Sequence, residues 1–255
     1  MAAAGFQPAV ARRTEACRAA GKAAGKIACP TRTTMRLILF IAAVSASLAQ
    51  TPAQGVNFYS VEKEIELGEN LAAKFQASEQ AQPDARLQAI GDKLAAHTDG
   101  AYQYHFFVYP HVSPEYEPIA LPGGPVFIAQ SMLTADEAET AAILAHAIAH
   151  IALRHYTREQ TQRELADIGR KAAGRGLNTP STPAVEMTIR PQFGPFELDA
   201  DRLAVKLMID AGYDPEALVR WLESFPVTTG SLAFGDRPTP SRRVAAARQA
   251  IEAAR

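Results

Sequence analysis

Cysteine is absent from this 255-residue chain after residue 29; its only two cysteines, Cys17 and Cys29, lie near the start. No disulfide can staple the remainder, and a metal site there must use histidine and carboxylate ligands. Charge of one sign is lacking too, since 26 Lys and Arg face 27 Asp and Glu for a net charge of −1. That balance gives no electrostatic case for nucleic acid or an anionic membrane surface as a partner. Long apolar runs are also missing. The stretch around residues 37–49 is about 13 residues long, short of the ~20 needed to span a bilayer. The other candidate, residues 141–153, is interrupted by His146 and His150, so no membrane span is expected after the N-terminal segment. No internal repeat is apparent. What remains, 47% apolar and 21% charged, is globular composition with length for one well-buried core or two small ones.

The first fifty residues read as address rather than fold. Met35-Arg36 precedes an apolar run at residues 37–44, and Ser47 and Ala49 supply the small residues that favour signal-peptide cleavage after Ala49. A short membrane anchor is the alternative. Residues 1–34 carry six basic residues and one acidic residue, Glu15. They read as an upstream extension, or as a mis-assigned start with the true one at Met35. The division is then 1–34 extension, 35–49 signal peptide and 50–255 a single exported domain, periplasmic or secreted.

Within that domain, residues 60–78 predict a helix capped by Ser60, with Ile65, Ala72 and Phe75 near one face. Residues 83–97 predict a second, with Leu87, Ile90 and Leu94 on its buried stripe and His97 as a favourable cation near its end. Residues 103–109 alternate as a strand, with His105 and His111 structural or exposed rather than metal ligands, and Pro110, Pro114 and Pro118 imposing a loop or an edge. Residues 119–121 and 126–129 predict two strands joined by a tight turn at Pro122-Gly123-Gly124-Pro125, whose glycines supply positive φ. A long central helix spans 134–154, opened by a capping box of Thr134 and Glu137 and apolar nearly all round. Glycines and prolines dissolve the pattern between Gly174 and Pro195, a loop length usually tied to function or mobility. Helices return at about 196–212, 215–225 with the only tryptophan, Trp221, and from Thr239-Pro240 to the end.

The chemistry concentrates at His146-Ala147-Ile148-Ala149-His150. Two histidines four apart on a helix lie about 40° apart around the axis and about 6 Å apart along it, on one face. They suit a shared zinc ion, as in His-Glu-x-x-His, and they equally suit two hydrogen-bonded core histidines. Glu197 and Asp201 share a face at the start of a later helix. One of these carboxylates can complete a three-ligand site while the other orients a ligand histidine. The plainer alternative is a solvated acidic first turn, favourable to the helix dipole.

Ala120-Leu121-Pro122-Gly123-Gly124, then the run from Ala145 through His146, His150 and Arg154 to His155, then Glu197-x-x-x-Asp201, together resemble the HtpX-like zinc metalloendopeptidases, closest to their soluble exported branch. The resemblance covers about residues 58–252. It implies an α+β zincin-like domain, mostly helical with a short antiparallel sheet. It also implies one zinc ion held by His146, His150 and Glu197, with Asp201 behind them, and unfolded or misfolded polypeptide as the partner. Gly123, Gly124 and Arg243 are possible cleft residues, a surface position being the alternative for Arg243.

Three departures qualify that resemblance. The family has glutamate where this chain has Ala147, and that glutamate is the general base, typically worth about 10²–10⁴ in rate. Glu137 and Glu139, two turns or more back along the helix, are too far away to replace it. Glu117-Pro118-Ile119 stands in place of Asn-Ala-Phe, and the proline removes a backbone donor from a strand that could pair with a peptide. Arg237-Pro238 stands where the family often has His-Pro, six residues before the arginine. The expectation is a degenerate metallopeptidase that holds zinc without efficient hydrolysis. Two alternatives stand beside it: an active endopeptidase of misfolded envelope proteins in which Ala147 is an introduced inactivating change, and a metal-free peptide-binding or chaperone-like module.

Overall fold

Small residues decide how the elements approach one another. The computed structural model describes residues 56–111, 117–176, 194–225 and 238–255, all within one unit, Gly55–Arg255. The extension, the signal segment and most of the long loop expected at 174–195 lie outside the described residues, as do Pro114 and Arg237.

Helix α1 (Val61–Glu79) is capped by the Ser60 hydroxyl, which accepts from the Lys63 amide, as its sequence predicts. Strand β1 (Gln82–Pro83) leads into α2 (Ala85–Ala95), capped by Asp84 and burying Leu87, Ile90 and Leu94. Strands β2 (His105–Tyr109), β3 (Ile119–Ala120) and β4 (Pro125–Ala129) complete a sheet of order β1-β2-β4-β3. The tight turn forms as expected: Gly123 and Gly124 have φ of +80° and +129°, and the Leu121 amide donates to the Pro125 carbonyl. A Cβ on Gly124 would lie 1.9 Å from the Gln103 carbonyl oxygen, and one on Gly68 of α1 would lie 1.7 Å from that of Pro122. Glycine therefore lets α1 and the preceding strand close onto the turn.

The sheet is mixed rather than purely antiparallel. β1–β2 and β3–β4 are antiparallel, whereas β2 and β4 run parallel, with Phe107 opposite Phe127. The reason is topological. The connection of residues 110–124 is long enough for a parallel crossover and carries β3 back along the far side of β4. Both sheet faces are covered. Phe75 of α1 packs on Tyr109 and Phe127, while Phe106, pointing the other way, occupies the space beside Gly91 of α2.

Helix α3 (Glu137–Ala152) is buried from Thr140 to Ala149, and its alanines admit close neighbours. Its cap is not the expected box. Asp136 accepts from the Ala138 and Glu139 amides, and the Thr134 hydroxyl accepts from the Asp136 amide instead. An acidic cap two residues nearer the helix satisfies the first turn and leaves Thr134 two residues too early. Helix α4 (His155–Gly176) follows at once; then come α5 (Gly194–Asp210), α6 (Glu216–Glu223) and α7 (Pro240–Ala253), the last capped by Thr239. α5, α2 and α6 pack on α3, α7 packs on α5 and α6, and β3 lies beside α3 at the sheet edge. Among the described residues, no helix is long and apolar enough to cross a membrane.

Candidate metal centre

The two histidines of α3 face α5. Nε2 of His146 and Nε2 of His150 are 3.1 Å apart, and Oε2 of Glu197, in the first turn of α5, is 3.6 Å from each. Zinc bound tetrahedrally at 2.0–2.2 Å places neighbouring ligand atoms about 3.3–3.5 Å apart. A triangle with sides of 3.1, 3.6 and 3.6 Å brackets that spacing, so the donor set fits the ion without rearrangement. His146 and Glu197 are buried and His150 is the more open of the three.

Asp201, one turn along α5, reaches the other side of the first histidine, with its Oδ1 3.1 Å from His146 Nδ1. It is fully buried, and a single arginine supports it. Arg243 of α7 donates from Nε and Nη2 to the two Asp201 oxygens at 2.8 Å each. Its Nη1 donates to Glu117 at 2.6 Å and lies 3.4 Å from Glu197 Oε2. The guanidinium is enclosed by the Trp221 and Phe225 rings and is only 3% exposed. Arg243 is therefore a buried member of the site, and the surface alternative fails.

Burial pushes both carboxyls upward, yet each ends below its usual range. For Glu197 the His150 hydrogen bond and the neighbouring charges prevail; for Asp201 the hydrogen bonds from Arg243 and His146 do. His146 is held below its usual value by burial, then by His150 and Arg243. A neutral histidine and ionised carboxylates are the forms a metal cation requires.

The second histidine has a different neighbour. α3 ends at Leu153, and Arg154 adopts φ +59°, which turns the chain so that His155 opens α4 facing back. Its Nδ1 is 3.1 Å from His150 Nδ1, and its ring stacks on Phe196 of α5 at 4.6 Å. Burial, followed by the charges of His150 and Arg158, pushes the His155 pKa down to about 2. The left-handed turn at Arg154 costs about 1–2 kcal/mol for a residue with a Cβ. It is offset by Glu64 of α1, whose two oxygens each accept from Arg154 Nε at 3.0 Å. Glu64 also accepts from Tyr102, Thr157 and Asn57, so a fully satisfied buried carboxylate ties the N-terminal arm to the turn.

These groups border a cavity of about 540 Å³, lined by His146, Ala147, His150, His155 and Glu197. The turn segment contributes Ala120, Leu121 and Pro122 to its wall, while Gly123 and Gly124 form the turn itself and pack on α1 and residue 103. Ala147 presents only a methyl group. His97 and His105 are exposed, and His111, its ring tilted against that of Tyr109, is outside the cluster.

The sequence motifs located His146, His150, Glu197 and Asp201. They gave no role to His155, although it was part of the motif, and they missed the pairing of Glu117 with Arg243 and the Glu64 hub altogether. An i,i+5 spacing puts His155 off the face of His150 on a continuous helix, and only the positive φ at Arg154 brings it back. The donor geometry, the histidine helix beside a sheet edge and the acidic helix behind it agree with a direct comparison. Residues 81–251 match the family model described as Peptidase family M48, and the chain belongs to that family of zinc metallopeptidases.

Proposed function

We propose that this protein holds one zinc ion on His146, His150 and Glu197 and binds unfolded or misfolded polypeptide in the adjoining cleft without hydrolysing it efficiently. The observation that carries this reading is an intact donor triangle beside Ala147. Zinc bound there would supply Lewis acidity toward a peptide carbonyl and acidify water. The chain's own task is to move the proton, and among the described residues every carboxylate lining the cavity is engaged elsewhere. Of the carboxylates lining the cavity, Glu197 belongs to the donor set, Glu117 is paired with Arg243, Glu159 with Arg163, and Glu64 sits in its own network. Glu137, ten residues before Ala147, lies roughly 15 Å back along α3.

The cleft suits an extended chain because β3, one of the two edge strands among the described residues, runs beside α3 and its wall is partly apolar. Pro118 removes the first amide of that edge, so pairing begins at Ile119. Peptide binding without turnover is the consistent outcome. The export signal read at residues 35–49 supports action in the cell envelope.

Metal analysis of the purified protein, paired with a casein assay run with and without chelator, tests this reading. Stoichiometric zinc with negligible casein hydrolysis is expected. Strong chelator-sensitive hydrolysis by the protein as it stands would overturn the inactive reading, and absence of zinc would favour a metal-free binding module.

A further inference from the structure

Between the two histidines of α3 and the one that opens α4, the proton positions follow from contact. Asp201 is ionised against Arg243 and can only accept, so His146 donates to it from Nδ1 and presents a bare Nε2. His150 Nε2 approaches that atom at 3.1 Å, a distance at which two lone pairs repel, so His150 carries its proton on Nε2. His150 Nδ1 is then bare, and its 3.1 Å contact with His155 Nδ1 requires the proton to sit on His155 Nδ1. His155 is 3% exposed, and its Nε2 is buried with no hydrogen-bond partner among the described residues. In this arrangement that atom is a bare acceptor.

A metal on His150 Nε2 reverses the order. The Nε2 proton must leave, and the ring stays neutral only by carrying a proton on Nδ1, which then needs an acceptor at the same 3.1 Å. We propose that His155 is a positioning residue for His150, its hydrogen-bond donor in the metal-free protein and its acceptor once zinc is bound, by exchange of tautomer in both rings. The exchange balances: His155 gives its Nδ1 proton to His150 Nδ1, His150 releases its Nε2 proton to the open cavity, and His155 takes up one proton from solvent at Nε2, so each ring holds one proton before and after. This inference rests on the zinc reading above. It gives the second ligand a neutral orienting partner where the first has a carboxylate. The stack on Phe196 fixes the plane of His155, so the direction of the hydrogen bond is set by packing.

The test reads tautomers directly, by long-range ¹⁵N–¹H NMR of histidine-labelled protein above the ordinary histidine pKa of about 6.5. Spectra are taken in chelator and then with one equivalent of zinc. In chelator we expect His150 protonated on Nε2 and His155 on Nδ1, with both exchanged after zinc. His155 remaining protonated on Nδ1 with zinc bound would overturn the proposal, as would His150 protonated on Nδ1 without it. Zinc affinity gives a second readout. His155→Phe keeps a ring on Phe196 but offers no acceptor, and should bind zinc about 10–100-fold more weakly. His155→Asn places an amide oxygen near the lost Nδ1 and should recover most of that loss. Equal weakening in both variants, or no weakening in His155→Phe, would reduce His155 to packing and refute the role. A parent protein that binds no zinc would sink the zinc reading and the acceptor half together, while the chelator spectra still decide the donor half.

Discussion

Arg243 and Arg154 are both drawn into clusters of polar groups beside α3, one at the first histidine and one just beyond the second. Arg243 is almost fully enclosed and meets three carboxylates, Asp201, Glu117 and Glu197. Arg154 keeps its side chain 31% exposed and, among the described residues, forms an ion pair with one, Glu64. The first arrangement sets charge at the candidate metal centre, since without the guanidinium the acidic groups of α5 and Glu117 would repel one another in a low-dielectric pocket. The second sets backbone conformation, holding a left-handed residue in place so that α4 starts with His155 against His150. The same pair of residue types therefore serves electrostatics in one place and chain geometry in the other.

Breaking the first cluster should have the larger effect. Arg243→Met leaves Asp201 and Glu197 buried without their counterion and should cost about 3–5 kcal/mol in urea unfolding. Zinc affinity should fall with it, because Asp201 no longer has a fixed position behind His146. Glu64→Gln preserves shape and removes charge, and Arg154 can hydrate, so roughly 1–2 kcal/mol is expected from the same measurement. Its zinc affinity should change little. Equal losses of zinc affinity in the two variants would erase the distinction between the clusters.

Acid titration sharpens the contrast further. His155 is pushed down to about 2 by burial and by the charges of His150 and Arg158, so the unfolded chain takes the proton first. Its contribution to stability is whole above about pH 6.5 and declines as pH falls. Asp201 is raised by burial and lowered further by its hydrogen bonds to Arg243 and His146, so its contribution is present above about pH 3.9 and lost below. In chelator the unfolding midpoint of the parent should begin to drop below about pH 6.5 and drop further below about pH 4. Arg243→Met should lose much of the second phase and keep the first.

Much of this was legible in the sequence where the signal is local. Ser60, Thr239-Pro240, Gly212 and the Pro122–Pro125 turn announce boundaries through groups a few residues apart. The candidate donor set was legible in two steps: helical spacing puts His146 with His150 and Glu197 with Asp201, and the family resemblance implied that the two pairs meet with Glu197 as the donor. The rest depends on contacts between distant residues. Asn57 meets Thr157, Glu117 meets Arg243, and Glu64 meets Arg154, pairings that no periodicity encodes. The parallel β2–β4 pair was hidden for the same reason, since strand alternation specifies faces and leaves neighbours open. Asp136 displaced the expected Thr134 cap because two capping residues only two positions apart compete and sequence does not rank their geometry.

The central claim is that a complete metal centre stands next to a missing base. Chelator-sensitive casein hydrolysis by the Ala147→Glu variant, compared with the parent at equal zinc loading, tests it most directly. The account predicts a rate at least about 10²-fold above the parent, the lower end of what a positioned general base supplies. A parent already hydrolysing casein as fast as the variant would contradict it.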